Sequence, residues 1–245
     1  MISFFDLKDK TVIITGAGEN IGRAIAETFL KCQAKTVFND LKNIEECHFS
    51  KEVLKSDNFL FSQGDITDLK YQEQLVGQTI NKFSKIDILI NNVGIGSGKG
   101  FFDLQPEIMQ KSIQTNFVAP FFLSQKIAQH MVENKINGSI IFISSIHSEI
   151  PSGNSDYSST KSALNMAVKE LAYELGPFGI RVNGVAPGKI TNQPESDKRI
   201  PLNNMSATSE EIAKIVLFLS DNSLSNYITG EIITVDGGLS LDFER

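Results

Sequence analysis

Seven short β-branched or aromatic runs alternate with longer helical stretches, and this predicts an α/β chain with a doubly wound parallel sheet flanked by helices. Several runs (VIIT, DILI, IIFI) are continuously apolar rather than alternating, as strands buried on both faces should be. A glycine-rich turn, Gly16-Ala17-Gly18-Glu19-Asn20-Ile21-Gly22, follows the first run at once and opens into a helical stretch.

The strands are expected at 11–15 (TVIIT), 36–39 (TVFN), 59–62 (FLFS), 86–91 (IDILIN), 139–144 (SIIFIS), 181–185 (RVNGV) and 232–236 (IITVD). Between them helices are expected at 21–31, 69–83, 106–132, 156–175 and 209–219, with weak helical character at 44–56. The irregular stretch 189–208 is rich in Asn, Pro and Ser, and an unstructured segment this long inside a domain reads as a substrate lid. At 245 residues an α/β chain still forms one domain, so residues 1–245 are expected to fold as a single unit.

Composition narrows the class. Apolar residues make up 41% and charged residues 21%, the balance of a globular chain rather than a disordered one. A net charge of −6 argues against a nucleic-acid groove, which needs a basic stripe. Cys32 and Cys47 are the only cysteines, too few for a disulfide scaffold, and with three dispersed His they offer no metal-ligand spacing. The N-terminus has Asp and Lys where a secretory leader needs an apolar run, and no apolar stretch is long enough to span a membrane. A cytoplasmic protein with no membrane partner is the expectation.

The first βα turn has the physics of a dinucleotide site. Glycines let the backbone bend and approach a pyrophosphate, whose charge sits at the positive end of the following helix. The spacing Gly16-x-Gly18-x-x-x-Gly22 is one residue longer than the common GxGxxG. The second strand runs into Asp40, about where an acid accepts hydrogen bonds from the adenosine ribose hydroxyls and repels a 2′-phosphate. Glu19 in the turn acts in the same sense. NAD(H) is therefore expected over NADP(H).

Tyr157 and Lys161 lie four apart on a helical stretch and share a face. A phenol titrates near 10, and a neighbouring ammonium favours tyrosinate, as a Tyr general acid–base requires. Ser144-Ser145 lies 12 to 13 residues upstream at a strand end, where it can supply a hydroxyl to the phenol's surroundings.

With Tyr157-x-x-x-Lys161, the turn Thr15–Gly22, Asn91-Asn92-Val93-Gly94, Pro187-Gly188 and the ending Tyr227-Ile-Thr-Gly230 … Val235-Asp-Gly-Gly238, the chain resembles the short-chain dehydrogenase/reductase family over essentially its whole length. Its 3-oxoacyl-carrier-protein reductase-like and hydroxysteroid or glucose dehydrogenase-like members are the nearest in kind. The resemblance implies a Rossmann domain that interconverts a secondary alcohol and a ketone by hydride transfer. Tyr157 would be the acid–base, Lys161 the ribose clamp and pKa shifter, Ser145 the donor to the substrate oxygen, and Asn116 the fourth catalytic position. Pro120 adds a physical reason for Asn116: it has no N–H and crowds the carbonyl four residues back, leaving that carbonyl for a proton-relay water. Cofactor contacts are implied for Gly16, Asn20, Ile21, Asp40, Asp65, Ile66, Asn92, Gly94, Tyr157, Lys161, Gly188 and Ile190.

Three positions depart from the family's pattern. Asn20 replaces a glycine but tolerates positive φ better than other residues. Val93 replaces an alanine beside the cofactor. Asn192 stands where a Thr usually meets the nicotinamide amide, with Thr191 adjacent, and either could do so. The spacing to Tyr157 favours Ser144 and the strand register favours Ser145; because loops absorb deletions more readily than strands change register, Ser145 is preferred. His147 is a possible substrate contact, while His48 and His130 read as surface residues. Phe101-Phe102 either line the pocket or pack. An NADPH-dependent 3-oxoacyl thioester reductase is the alternative, and a non-catalytic dinucleotide-binding scaffold the alternative of another class. The apolar surface of the helix from Pro106 predicts a homo-oligomer, a tetramer or dimer.

Overall fold

The computed structural model describes residues 5–241. Seven strands form one parallel sheet in the order β3-β2-β1-β4-β5-β6-β7. They are β1 Thr11–Thr15, β2 Lys35–Asp40, β3 Phe59–Gln63, β4 Ile88–Asn91, β5 Ser139–Ile143, β6 Arg181–Pro187 and β7 Ile232–Val235. The chain builds outward from β1 to β3 and then returns to the other side of β1, so the switch point lies between β1 and β4. In an open α/β sheet, that crevice at the carboxyl ends of the strands is where ligands bind.

Strand pleating sends alternate residues to opposite layers. Val12 and Ile14 join Ile25, Phe29, Val216 and Leu217 beneath α1 (Asn20–Lys31) and α7 (Ser209–Ser220). Ile13, Leu89 and Phe142 point the other way, toward Leu75 on α3 (Leu69–Phe83), Leu123 and Ile127 on α5 (Ala119–Glu133), and Val168 on α6 (Ser155–Leu175). Both layers are fully buried, which is why the strands read as unbroken apolar runs. The Thr208 and Glu211 side chains form a reciprocal capping box that starts α7, and Asp68 caps α3 on the Lys70 N–H.

Where the chain departs from its expected elements, the causes are local. β4 starts at Ile88 rather than 86, because Ile86 gives its N–H to the His130 ring instead of a strand neighbour. This makes His130, expected as a surface residue, a half-buried link from α5 to the sheet. The weak helix expected at 44–56 shrinks to the single turn α2 (Lys51–Leu54), while Asn43 caps the preceding turn through the N–H groups of Glu45 and Glu46. A short α8 (Asn222–Ser225), capped by Asp221, adds an element the sequence pattern does not signal. The helix expected at 106–132 is broken into α4 (Pro106–Ile113), a π-helical turn at Gln114–Val118, and α5. Pro120 cannot donate to Asn116, and the Ala119 N–H bonds five residues back to the Gln114 carbonyl.

Segment 189–208 stays largely irregular but is tied down. Ile190 bridges to Ala207 and Ser196 to Met205, while Asp197 pairs with both Lys189 and Arg199. Those two cations hold the Asp197 carboxyl far below the usual carboxylate range, led by the Arg199 hydrogen bonds.

The turn between β1 and α1 is shaped by close approach. A Cβ on Gly22 would stand 2.0 Å from the Gly16 carbonyl oxygen, so the first helical turn can lie on the turn's backbone only without a side chain there. Gly16 has φ +64° and Asn20 φ +49°, so Asn20 occupies the left-handed region as its residue type allows. Asn20→Gly should leave stability nearly unchanged, whereas Asn20→Ala should cost about 1–2 kcal/mol; urea unfolding of both variants checks this.

Candidate active site and cofactor cleft

The cleft at the switch point has a volume of about 540 Å³ and runs from the Gly16–Gly22 turn past Asp40, Asp65 and Ile66 to Asn92 and Gly94. α1 begins with no acidic residue in its first turn and no side-chain cap, leaving its positive end free to meet an anion. Asp40 ends β2 half-buried; its Oδ2 accepts the Gly18 N–H at 2.8 Å and its Oδ1 the Lys42 N–H at 3.0 Å. Asp65 is exposed and accepts the Thr67 N–H at 2.8 Å, while Ile66 is buried beneath the cleft. Asn92 stitches β4 to the turn, donating to the Thr15 and Gly16 carbonyls at 3.0 and 3.1 Å.

A cation the sequence reading passed over lies at this end. Lys42, two residues beyond Asp40, forms an exposed ion pair with Glu19. Its hydrogen bond to Glu19, more than the nearby Asp40 charge, raises its pKa above the ordinary value.

A second cavity of about 250 Å³ adjoins the first, sharing Ile21, Asn92 and Gly94, and brings Ser145, Tyr157 and Lys161 together with Gly188 and Ile190. Lys161 is the unusual group. Its side chain is 2% exposed, and Nζ donates to the Ile143 carbonyl at 2.7 Å at the end of β5. Burial lowers its pKa to about 8. Nζ also lies 5.6 Å from the centre of the Tyr157 ring. Lys161 was expected to lower the phenol's pKa; here burial raises it above 10, and the Ser145 hydroxyl opposes that rise only in part. The expectation weighed one nearby charge and omitted the desolvation of the phenol itself.

The two serines part company. Ser144 lines the same cavity but commits its hydroxyl to the Asn165 Oδ1 at 2.6 Å. Ser145 sits where β5 gives way to a 3₁₀ turn, accepts the His147 N–H, and shares the cavity with Tyr157, where its hydroxyl opposes the burial-driven rise of the phenol's pKa. Asn116, fully buried in the π-helical turn, takes the Ile95 N–H on Oδ1 at 2.8 Å and donates to the Ile95 carbonyl at 2.7 Å and to Thr160 at 2.9 Å. Thr191 commits its hydroxyl to Gln193 and Ser206, whereas Asn192 is exposed beside Asn20. Phe101 and Phe102 are 77% and 94% exposed and touch each other edge-on, so neither packs into the interior.

Gly188 also borders a third cavity of about 410 Å³, lined by His147, Ile150, Lys189 and Arg199. His147 Nδ1 lies 3.3 Å from the Ile150 carbonyl. A carbonyl can only accept, so Nδ1 carries the proton and Nε2 is left as an acceptor in the neutral ring.

Comparison with known proteins agrees with this geometry. The family model for short chain dehydrogenases matches residues 10–200. The chain belongs to the short-chain dehydrogenase family. It is 31% identical to the L-rhamnose 1-dehydrogenase (NAD(P)(+)) of Azotobacter vinelandii, over 97% of this chain and 99% of that one. It is 34% identical to the 3-oxoacyl-[acyl-carrier-protein] reductase of Buchnera aphidicola, over 94% and 97%. A Caenorhabditis elegans short-chain dehydrogenase/reductase, crystallised with cofactor, superposes with a TM-score of 0.86 at 31% identity, covering 96% of both chains. This short-chain dehydrogenase is an oxidoreductase on a Rossmann-type sheet. Among its described residues no helix is long and apolar enough to cross a membrane, and no group of His, Cys, Asp and Glu is placed to hold a metal.

Lys161 generates a measurable linkage. Its folded pKa of about 8 lies below the unfolded value of 10.5, so between these pH values the unfolded chain binds more protons. Wild-type stability relative to Lys161→Met should therefore rise from pH 8 to pH 10.5, by at most about 1.4 kcal/mol per pH unit. Parallel urea titrations across that range measure the difference.

Proposed function

We propose that this short-chain dehydrogenase interconverts a secondary alcohol and its ketone with NAD(H). The observation that carries the reading is the convergence of Tyr157, Ser145 and the buried Lys161 on one cavity continuous with the dinucleotide cleft. The residues fit such a cofactor: the turn leaves no room for side chains at Gly16, Gly18 and Gly22, α1 begins with no side-chain cap, and Asp40 stands at the ribose end. A bound nicotinamide supplies the hydride acceptor or donor.

The chain's own groups handle the proton. In alcohol oxidation the Tyr157 oxygen takes the substrate's hydroxyl proton; in ketone reduction it returns that proton to the same oxygen. Ser145 donates a hydrogen bond to the reacting oxygen and is worth a few kcal/mol if well aimed. Lys161, while protonated, favours the phenolate that Tyr157 must become, against the burial that disfavours it. Asn116 holds the loop after β4 over this pair. Segment 189–208 serves as the substrate lid.

The third cavity supports a compact, hydroxyl-bearing substrate. Asp197 and Glu195 together offset the charges of Lys189 and Arg199 there, and His147 Nε2 is available to accept from a hydroxyl. The A. vinelandii relative's sugar oxidation belongs to this class of chemistry. A second reading, an NADPH-dependent 3-oxoacyl thioester reductase, is favoured by Lys42 beside the ribose end and by the B. aphidicola relative. Asp40 and Glu19 weigh against it, because both would face a 2′-phosphate and Glu19 already occupies the lysine. Exposed Phe122, Met166 and Tyr173 on α5 and α6 support self-association, and a monomer in sedimentation equilibrium would refute it.

Titration with NADH and NADPH, followed by nicotinamide fluorescence, should show NADH the tighter ligand by roughly tenfold, and Asp40→Ala should narrow the gap. Tighter NADPH binding would favour the second reading. Tyr157→Phe should keep cofactor binding and lose on the order of 10²- to 10⁴-fold in turnover. Undiminished turnover in that variant rejects the mechanism. Ser145→Ala should impair turnover more than Ser144→Ala does.

A further inference from the structure

The segment from Gly94 to Ser97 follows β4 and crosses directly over the proposed acid–base pair. Each of its residues is docked on a different group. At Gly94 a Cβ would come within 3.0 Å of Lys161 Nζ. Ile95 exchanges two hydrogen bonds with the Asn116 side chain. Gly96 lies on Tyr157, where a Cβ would stand 3.3 Å from the tyrosine Cβ and 3.4 Å from Cδ2. Ser97 donates through both its N–H, at 3.2 Å, and its hydroxyl, at 2.8 Å, to the carboxylate of Asp156.

Asp156 is the residue immediately before Tyr157 and is 0% exposed. It also accepts the hydroxyl of Ser112 on α4, and the Asn154 amide, turned with its nitrogen inward, donates to it as well. No Lys, Arg or His is paired with it among the described residues. An unpaired buried carboxylate is an expensive choice for a purely structural link, which a neutral hydroxyl or amide could make at lower cost. Burial pushes its acid up, but the donated hydrogen bonds outweigh that and keep it ionised, helped by its place in the first turn of α6. The carboxylate thus only accepts, and the rigid Ser97 N–H can be satisfied there in one position of the segment.

We propose that Asp156 is a positioning residue: by gathering Ser97, Ser112 and Asn154 onto the first turn of α6, it holds the Gly94–Ser97 backbone against Tyr157 and Lys161. It does not touch substrate, and its effect runs through the placement of the phenol and the ammonium. The assignment rests on the reading of Tyr157 and Lys161 given under Proposed function.

The test compares the full chain with Asp156→Asn, which keeps the shape but turns one acceptor into a donor, and with Ser97→Ala, which removes one hydroxyl and leaves the N–H contact. Amide hydrogen exchange of the 94–98 peptide, NADH affinity, and kcat and KM for a secondary alcohol are measured on each. The expected result for Asp156→Asn is exchange at 94–98 faster by about tenfold, the worth of one lost hydrogen bond, with the central strands unchanged. NADH affinity should be retained and kcat should fall roughly 10- to 100-fold, the size of a displaced reacting group. Ser97→Ala should move the same quantities in the same direction by less. Unchanged exchange at 94–98 overturns the proposal, as does a fast-exchanging segment with undiminished kcat. Faster exchange spread evenly over the sheet and α6 overturns it too, since that marks a general loss of stability; if Asp156→Asn does not fold, Ser97→Ala decides by the same criteria. A wild type that binds no nicotinamide cofactor defeats the functional reading instead, and the exchange comparison distinguishes that outcome because it needs no turnover.

Discussion

Much of the site's architecture depends on sealing one ammonium group inside the protein. Lys161 must be buried to sit under the cleft, yet a buried ammonium is costly unless its donors are used. The end of β5 supplies the Ile143 carbonyl, and the segment after β4 closes from above with a glycine, because a side chain at Gly94 would press on Nζ. From this follow the need for Asn116 to grip Ile95 and for a helix start at Ser155 that brings Tyr157 and Lys161 up on the same face. The π-helical turn belongs to the same solution, since it is the stretch of backbone that carries Asn116 across to α6.

Burial and charge oppose each other at the phenol, and the balance is informative. Desolvation raises the pKa of Tyr157 and lowers that of Lys161, so each group is pushed toward its neutral form and the two values, close to each other in water, are driven apart. The phenolate that the proposed chemistry needs must therefore be favoured by contacts made at the phenol, against its burial. The Ser145 hydroxyl, in the same cavity, tilts that balance toward the phenolate. The chemistry proposed for the pair is thus prepared by polar contact working against the packing.

The layered sheet was legible in the sequence because strands buried on both faces leave short apolar runs, and VIIT, DILI and IIFI are β-branched and of strand rather than helix length. The turn at Gly16–Gly22 and the pair Tyr157–Lys161 were legible because each is a local spacing. What escaped was long-range or energetic. The break at Gln114–Val118 follows from Pro120, whose effect on a carbonyl was foreseen without the widening of the helix around it. Lys42 was missed because its relevance comes from a pairing with Glu19 across 23 residues. Asp156 carries no spacing signal at all: its partners Ser97 and Ser112 lie 59 and 44 residues away, and a polar residue in a helix's first turn reads as an ordinary solvated cap.

That last residue shows how the two halves of the chain depend on each other. The dinucleotide cleft is built by the first four strands, and the proposed acid–base groups arrive on β5 and α6, so the seam between them falls between β4 and α6. Sheet pairing aligns the strand ends but does not fix the loop that emerges above them, because side chains there no longer have a neighbouring strand to register against. The Asn116 amide and the Asp156 carboxylate supply that register with directional hydrogen bonds, one on each side of Gly96. A seam held by apolar contact alone would tolerate sliding, since dispersion is weakly directional, whereas acceptors aimed at specific N–H groups admit one placement. Polar burial at this point is therefore the means by which the cofactor cleft and the proposed proton-handling pair, encoded far apart in the chain, come to share one geometry.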